Sequence, residues 1–226
     1  TVYNSSLATL GRIHDADKAA LAFRWAKQAG FENISGDLMI GLDNYSYDEM
    51  FATIDFLKEA GATHISAYML KIEENTPFAS ENLTLPDEDE TCELYLQTVE
   101  TLGEKGFNQY EISNFALDGT ESRHNLKYWS CEEYLGIGPG AHSFAGDVRR
   151  WCEQSVEEYI TAVEYGEERL SVTDRLNECV MTSLRRAEGL SLNEIERIGR
   201  VEARERIEHL AAEALRSGNL VRHEAD

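Results

Sequence analysis

Three junctions in which a helix ends at a glycine and a strand follows constrain the fold of this chain most strongly. They are Ala29-Gly-Phe31, Lys105-Gly-Phe107 and the similar Ala60-Gly-Ala62. Each follows a segment with apolar residues at helical spacing and precedes a short apolar run that is typical of a strand. Alternating helices and strands favour parallel strands joined by right-handed crossovers. The pattern therefore predicts an α/β fold, either a barrel or a doubly wound sheet.

Capping residues set the expected starts of the helices. Asp15, Ser46 and Asp87 each stand before a helical pattern and offer a side-chain oxygen to the free backbone N–H groups of a first turn. The strands between the helices are predicted over residues 32–39, 63–70 and 107–112. The first helix is expected to bury one apolar face, formed by Ala22, Trp25, Ala26 and Ala29.

Residues 113–147 are predicted to be a loop, and a helical tail is predicted after it. Ser155 and Ser191 begin two further capping patterns, and Asn219–Arg222 is interpreted as a short final strand. Helices followed by such a strand resemble a winged-helix module, but acidic residues along the last helix favour a packing or docking domain over DNA binding. The expected domains are therefore residues 1–150 and residues 151–226.

Charge and cysteine content narrow the classes of function. The chain has 42 acidic and 21 basic residues and a formal charge of −21, which disfavours binding to nucleic acid or to anionic membrane surfaces. No apolar run is long enough to span a bilayer, so we expect no membrane insertion and a cytoplasmic location. The four cysteines are too far apart in sequence for a CxxC-type metal motif and are expected to be reduced thiols: Cys92, Cys131, Cys152 and Cys179.

Candidate site residues lie near the expected carboxyl ends of the strands, where parallel barrels carry their functional groups. Asp37 is a carboxylate in an apolar strand end, where it either meets a ligand or is satisfied by loop backbone. Tyr68 in the next strand is either a core residue or a ligand contact. Arg12, before the first helix, is either a surface cation or a bidentate partner for a carboxylate or phosphate.

The predicted loop has the densest group of aromatic and polar residues. His124, with aromatic neighbours in sequence, can ligate iron or donate to a carboxylate, although a loop histidine usually serves only as a hydrogen-bonding residue. The run Gly136-Ile-Gly-Pro-Gly140 permits close backbone approach but lacks the spacing of a nucleotide fingerprint. It predicts a tight turn, and no metal site is predicted for the chain.

Eight stretches, in order along the chain, resemble the oxygen-independent coproporphyrinogen III oxidase-like radical SAM proteins. They are LGRIHD at 10–15, NISGDLMIGL at 33–42, HISAYML at 64–70, NTPF at 75–78, LPDEDE at 85–90, QYEISNFA at 109–116, SRHNLKYW at 122–129 and YLGIGPGAHSF at 134–144. Each is weak evidence alone, and the ordered set carries the resemblance. The HNxxYW element at His124–Trp129 favours the HemW-type haem chaperone branch over the decarboxylating oxidases.

The resemblance implies the later part of a partial TIM-like radical SAM barrel, followed by a helical, winged-helix-like C-terminal domain. Members use a [4Fe–4S] cluster, held by a CxxxCxxC loop, to cleave S-adenosylmethionine. By motif position, Asp37 is expected to contact the ribose hydroxyls of S-adenosylmethionine, and Arg12 its methionine carboxylate. Met39, Tyr68 and His142 are expected to line the same site.

The implied function is that of a haem chaperone, with His124 as a haem contact. The alternative is an S-adenosylmethionine-dependent, oxygen-independent coproporphyrinogen III oxidase of porphyrin biosynthesis. Expected partners are haem or a porphyrinogen and haem-accepting respiratory proteins, and exposed strand edges predict a homo-oligomer. The sequence contains no CxxxCxxC, and residues 41–45 differ from the family's GLPGQT-like turn. The chain is therefore expected to be an N-terminally truncated fragment without radical chemistry of its own.

Overall fold

The computed structural model describes residues 1–153 and 155–223, and the chain divides into two compact units. The first unit runs from Thr1 to Ser122, and the second begins at Arg123. The segment 123–150 groups by packing with the second unit, whereas the sequence assigned it to the barrel. The domain division after residue 150 stays a prediction.

The first unit contains the three predicted helix–strand pairs. Its helices are α1 (Asn4–Thr9), α2 (Ala16–Gln28), α3 (Tyr47–Ala60) and α4 (Glu88–Glu104), with a 3-10 helix at Pro77–Ser80. Its strands are β1 (Ser35–Ile40), β2 (His64–Met69), β3 (Asn108–Glu111) and β4 (Asn114–Ala116). The pairs α2–β1, α3–β2 and α4–β3 follow the predicted order.

The predicted caps begin these helices because each side chain accepts a hydrogen bond from a first-turn N–H group. Asp15 accepts from the backbone nitrogen of Lys18, and Ser46 accepts from that of Glu49. Asp87 forms a reciprocal capping box with Glu90 at the start of α4. The caps predicted from the sequence are confirmed.

The sheet has the order β1-β2-β4-β3, which differs from the predicted run of neighbouring parallel strands. Strands β1 and β2 pair in parallel, but β4 pairs antiparallel with both β2 and β3. The prediction of a loop over residues 113–147 is therefore wrong at Asn114–Ala116. It is also wrong in the second unit, where Arg123–Trp129 form a helix and His142–Ala145 form a strand. The segment returns as a tight hairpin because the Glu111 carboxylate accepts from the backbone nitrogen of Ser113 at 2.8 Å.

The core of the first unit lies between one face of the sheet and helices α3 and α4. It is formed by Leu38, Ile40, Met50, Ile54, Leu57, Ala62, Ile65, Ala67, Leu102, Phe107 and Phe115. The prediction for α2 is wrong, because Trp25 is 61% exposed and no residue of this helix is buried. The helix instead packs through Phe23, whose ring meets Phe56 edge-on at 6.1 Å.

The second unit combines helices with a small antiparallel sheet. Its helices are α5 (Arg123–Trp129), α6 (Val156–Thr161), α7 (Val172–Ser183) and α8 (Leu192–Ser217), the last interrupted by non-helical backbone at Arg200. Its strands are β5 (His142–Ala145), β6 (Val148–Trp151) and β7 (Gly166–Arg169), in that order. The predicted strand at Asn219–Arg222 is not formed in these described residues, where the chain leaves α8 through a left-handed Gly218 and pairs with no strand. Within the described part of the chain, no helix is long and apolar enough to cross a membrane.

Candidate functional site

The face of the sheet opposite the core carries most of the residues predicted to bind S-adenosylmethionine. Along β1, Leu38 is buried in the core, whereas Asp37 is exposed and Met39 is half-buried on the other face. The parallel register places Asp37 beside Ser66 and Met39 beside Tyr68. Because paired residues of neighbouring strands point to the same side, the structure brings Asp37, Met39 and Tyr68 together. We call this surface the polar face.

A buried histidine links three strands at the polar face. His64 is opposite Ser35 in the register, and its Nδ1 lies 2.7 Å from the Ser35 hydroxyl oxygen. Its Nε2 lies 2.7 Å from the Tyr110 hydroxyl oxygen on β3. Burial lowers the pKa of His64, although nearby carboxylates such as Asp37 act in the opposite direction. The neutral imidazole needs one donor and one acceptor, and the two hydroxyl groups can supply both.

A second buried polar chain lies beside it. The Ser66 hydroxyl donates to the Asn114 side-chain oxygen at 2.7 Å, and the Asn114 side-chain nitrogen donates to Glu111. Glu111 is 2% exposed and Asn114 is 4% exposed, so this carboxylate is held by hydrogen bonds away from bulk water. Of these residues, only Glu111 was expected near the rim from the sequence, as the end of the third predicted strand, whereas His64, Ser66 and Asn114 were not predicted. The alternation of β2 gave the available signal, since His64, Ser66 and Tyr68 must share a face.

The polar face has an acidic character. Strands β1 to β4 contain no Lys or Arg, and Asp37 has no hydrogen bond or ion pair from its side chain among the described residues. An exposed carboxylate with free acceptor capacity suits hydroxyl donors, such as those of a ribose, and cationic groups. Arg12 lies outside the sheet, in the exposed turn after α1. Its side chain makes no described hydrogen bond or ion pair, and its role stays a prediction.

Helix α5 places His124 at the surface of the second unit. The imidazole is exposed, and the Tyr128 ring meets it edge-on at 5.0 Å, one helical turn later. The opposite side of the helix is anchored by Trp129, whose ring lies 4.6 Å from the Arg185 guanidinium. The exposed and anchored sides of α5 follow from the helical spacing of the HNxxYW element.

Tyr128 continues into a row of aromatic rings. Its ring meets that of Tyr134 at 4.8 Å, and Tyr134 meets Phe144 of β5 at 6.4 Å. Tyr134 and Phe144 also exchange two backbone hydrogen bonds of 2.9 Å. After Tyr134 the loop exposes two aliphatic side chains, Leu135 at 79% and Ile137 at 83%. The row of rings provides apolar surface that begins at His124, and the two aliphatic side chains add exposed apolar surface to the following loop.

The glycine run before β5 serves backbone packing. A Cβ atom at Gly136 would lie 2.1 Å from the carbonyl oxygen of His142, so only glycine fits beside this strand. The Gly136 nitrogen also donates to the Ser143 hydroxyl at 2.9 Å. His142 itself is exposed on β5 and stacks on Trp151 at 6.2 Å. Its predicted part in binding S-adenosylmethionine stays a prediction.

The described residues do not fit an iron–sulfur cluster. The four cysteines are free thiols, of which Cys152 and Cys179 are buried and Cys92 is exposed. Over residues 1–153 and 155–223, no three His, Cys, Asp or Glu side chains are grouped so that they could hold a metal ion. We therefore derive no chemical step through such a cluster.

Comparison with known proteins identifies the relatives of this chain, although no family model matches it. The heme chaperone HemW of Lactococcus lactis is 32% identical over 204 residues, which cover 87% of this chain and 54% of that protein. The heme chaperone HemW of Mycobacterium tuberculosis is 35% identical over 219 residues, covering 92% of this chain and 55% of that protein.

A solved structure confirms the predicted fold class. Coproporphyrinogen III oxidase (HemN) from Escherichia coli, a radical SAM enzyme, matches with a TM-score of 0.78 at 18% identity, over 96% of this chain and 55% of that chain. The chain spans about half the length of the curated relatives it matches. The order of the motifs, the sequence identities and the fold agree: the chain belongs to the coproporphyrinogen III oxidase-like radical SAM family, near its HemW branch.

Proposed function

We propose that this chain belongs to a haem chaperone, which binds haem and delivers it to haem enzymes, and that His124 ligates the haem iron. The exposed His124 imidazole on α5 is the observation that carries the proposal. An imidazole nitrogen is a common axial ligand of haem iron. The similarity to proteins named as heme chaperones over most of this chain supports the same function.

The surroundings of His124 suit a flat macrocycle. Tyr128 meets the imidazole by its edge, and the exposed Leu135 and Ile137 lie on the loop that follows Tyr134. An apolar surface of rings and aliphatic side chains favours burial of a porphyrin plane, while the imidazole sets its position through the iron. Respiratory proteins that accept haem, and a homo-oligomeric state, are further parts of the proposal.

Titration of ferric haem into the chain, followed by the Soret band, tests the role of His124. We expect His124→Ala to weaken binding and to shift the Soret maximum, because the iron loses its axial nitrogen. The matched control is His209→Ala, which removes another exposed imidazole, from α8. Equal haem affinity and an equal spectrum for the chain and His124→Ala would show that His124 does not ligate the haem iron.

We propose further that the polar face contributes to an S-adenosylmethionine site. Asp37 would accept hydrogen bonds from the ribose hydroxyls, and Met39 and Tyr68 would flank the ligand. Arg12 is proposed to bind the methionine carboxylate, and His142 to line the site. In the family this ligand and a [4Fe–4S] cluster work together, but the described residues offer no ligand set for the cluster.

Calorimetric titration with S-adenosylmethionine tests the polar face. Hydrogen bonds to a charged group contribute about 1.5–3 kcal/mol, so we expect Asp37→Asn to weaken binding by about tenfold or more. Asp89→Asn, at an exposed position of α4, removes a carboxylate away from the sheet and is the control. Equal losses in the two variants would contradict the assignment of Asp37.

A catalytic function is the second candidate, and the fold likeness to coproporphyrinogen III oxidase is the observation that favours it. Such an enzyme would decarboxylate coproporphyrinogen III with the help of S-adenosylmethionine. The test is an anaerobic assay of the complete gene product that contains this chain, after cluster reconstitution. Formation of protoporphyrinogen would favour the oxidase, whereas haem transfer without turnover would favour the chaperone.

A further inference from the structure

The exposed side of α5 carries two cations in addition to His124 and Tyr128. Arg123 and Lys127 stand one helical turn apart, and both side chains are exposed. Neither makes a hydrogen bond or ion pair from its side chain among the described residues. The two cations form one stripe along the helix, and His124 and Tyr128 form the neighbouring stripe.

This pair of cations lies on an acidic chain and has no carboxylate partner among the described residues. The chain has twice as many acidic as basic residues, and several arginines of the second unit are bound to carboxylates. Arg149 donates two hydrogen bonds of 3.0 Å to Glu178, and Arg150 donates one of 2.8 Å to Glu167. Like charges four residues apart on a helix repel each other, and α5 itself contains no carboxylate to offset that repulsion.

We infer that Arg123 and Lys127 bind the propionate carboxylates of the haem whose iron His124 ligates. The inference rests on the proposed function and adds the group that recognises the porphyrin's charge. A ring held at His124 and lying against Tyr128 has the stripe of cations beside it. Arg can grip a carboxylate through two parallel N–H···O bonds, and Lys can reach one as a point charge. Complementary charge selects haem over an uncharged ring of the same size.

The ligand's own carboxylates make the inference testable by a double-mutant cycle. Ferric haem and its dimethyl ester, in the same dilute detergent, are each titrated into the chain and into Arg123→Gln/Lys127→Gln. The matched control is Arg24→Gln/Lys27→Gln on α2, which removes the same two residue types from exposed positions of the first unit. His124→Ala is included in order to identify binding through the iron.

We expect the double variant to bind haem about three- to thirtyfold more weakly than the chain, because the losses of two exposed ion pairs add up. The dimethyl ester should bind the unaltered chain more weakly than haem does, by the same factor. Its affinity for the double variant should be no lower than its affinity for the unaltered chain. High salt should reduce the difference between haem and ester, because it screens exposed charges.

Three outcomes separate the two proposals. If haem binding depends on His124 but haem and ester bind the unaltered chain equally, the cations have no part in recognition and this inference is wrong. If the α2 control loses as much affinity as the α5 variant, the effect comes from net charge and the inference is again wrong. If binding does not depend on His124, both this inference and the proposed haem function fail.

Discussion

Replacement of Asn114 by aspartate tests whether the hydrogen-bonded side chains of Ser66, Asn114 and Glu111 at the polar face are as buried as the structure shows. Asn114 accepts from Ser66 through its oxygen and donates to Glu111 through its nitrogen. Asn114→Asp has almost the same shape but turns that donor into an acceptor. Two carboxylates then face each other at positions that are 4% and 2% exposed.

The size of the effect follows from that burial. Leaving a buried charge without a partner typically lowers stability by about 3–5 kcal/mol, and we expect a loss of that order near neutral pH. In the folded variant one carboxyl of the pair keeps its proton to a higher pH than it would in the unfolded chain. The loss should therefore be full at neutral pH and shrink as the pH falls toward about 4, where unfolded carboxyls also take up protons.

Urea unfolding followed by far-UV circular dichroism, at neutral pH and near pH 5, measures this effect. The matched control is Asn108→Asp, because Asn108 donates to the Asp118 carboxylate at 2.6 Å at an exposed site. There the same exchange should change stability by less than about 1 kcal/mol. An equal loss for the two variants, or a loss at Asn114 that does not depend on pH, would refute the description of a buried carboxylate.

Three further changes test the fold and the polar face. Ile54→Ala should lower the free energy of unfolding by about 2–5 kcal/mol because it leaves a cavity in the core, whereas Ile13→Ala, at a 96% exposed side chain, should change it by less than about 0.5 kcal/mol in the same urea experiment. Burial lowers the pKa of His64, so the folded state favours the neutral imidazole. The free energy of unfolding should therefore be at its full value above about pH 6.5 and fall as the pH drops below it, and His64→Asn should flatten the stability–pH curve there. Asp87→Ala should lower the thermal midpoint through a loss of about 1 kcal/mol, because α4 loses its capping box; an unchanged midpoint would contradict the cap.

Local chemistry made part of this fold predictable. The capping oxygens of Asp15, Ser46 and Asp87 each meet a backbone N–H group within the next turn, so their role does not depend on the rest of the chain. The position of β4 could not be predicted in the same way. Three residues are too short for a periodic pattern, and their pairing with β2 depends on contacts that are distant in sequence.

The candidate site was also predictable only in part from the sequence. Asp37 and Tyr68 could be placed near one rim from strand order alone, and the register brings Tyr68 beside Met39. The buried partner Asn114 was not expected, because its segment was interpreted as a loop, whereas Glu111 lies within the predicted third strand. The exposed side of α5 was also missed, since a helix of seven residues within an aromatic loop has little periodic signal.

Chemical rescue of His124→Gly by free imidazole tests the central claim most directly, because it asks whether a missing imidazole is what haem binding needs. The variant and the chain are incubated with ferric haem, with and without imidazole, and the protein-bound Soret absorbance is read after gel filtration. We expect the variant to lose the bound haem and to regain it, with a spectrum like that of the chain, when imidazole is added. Haem retained by His124→Gly without imidazole, with an unchanged spectrum, would contradict it.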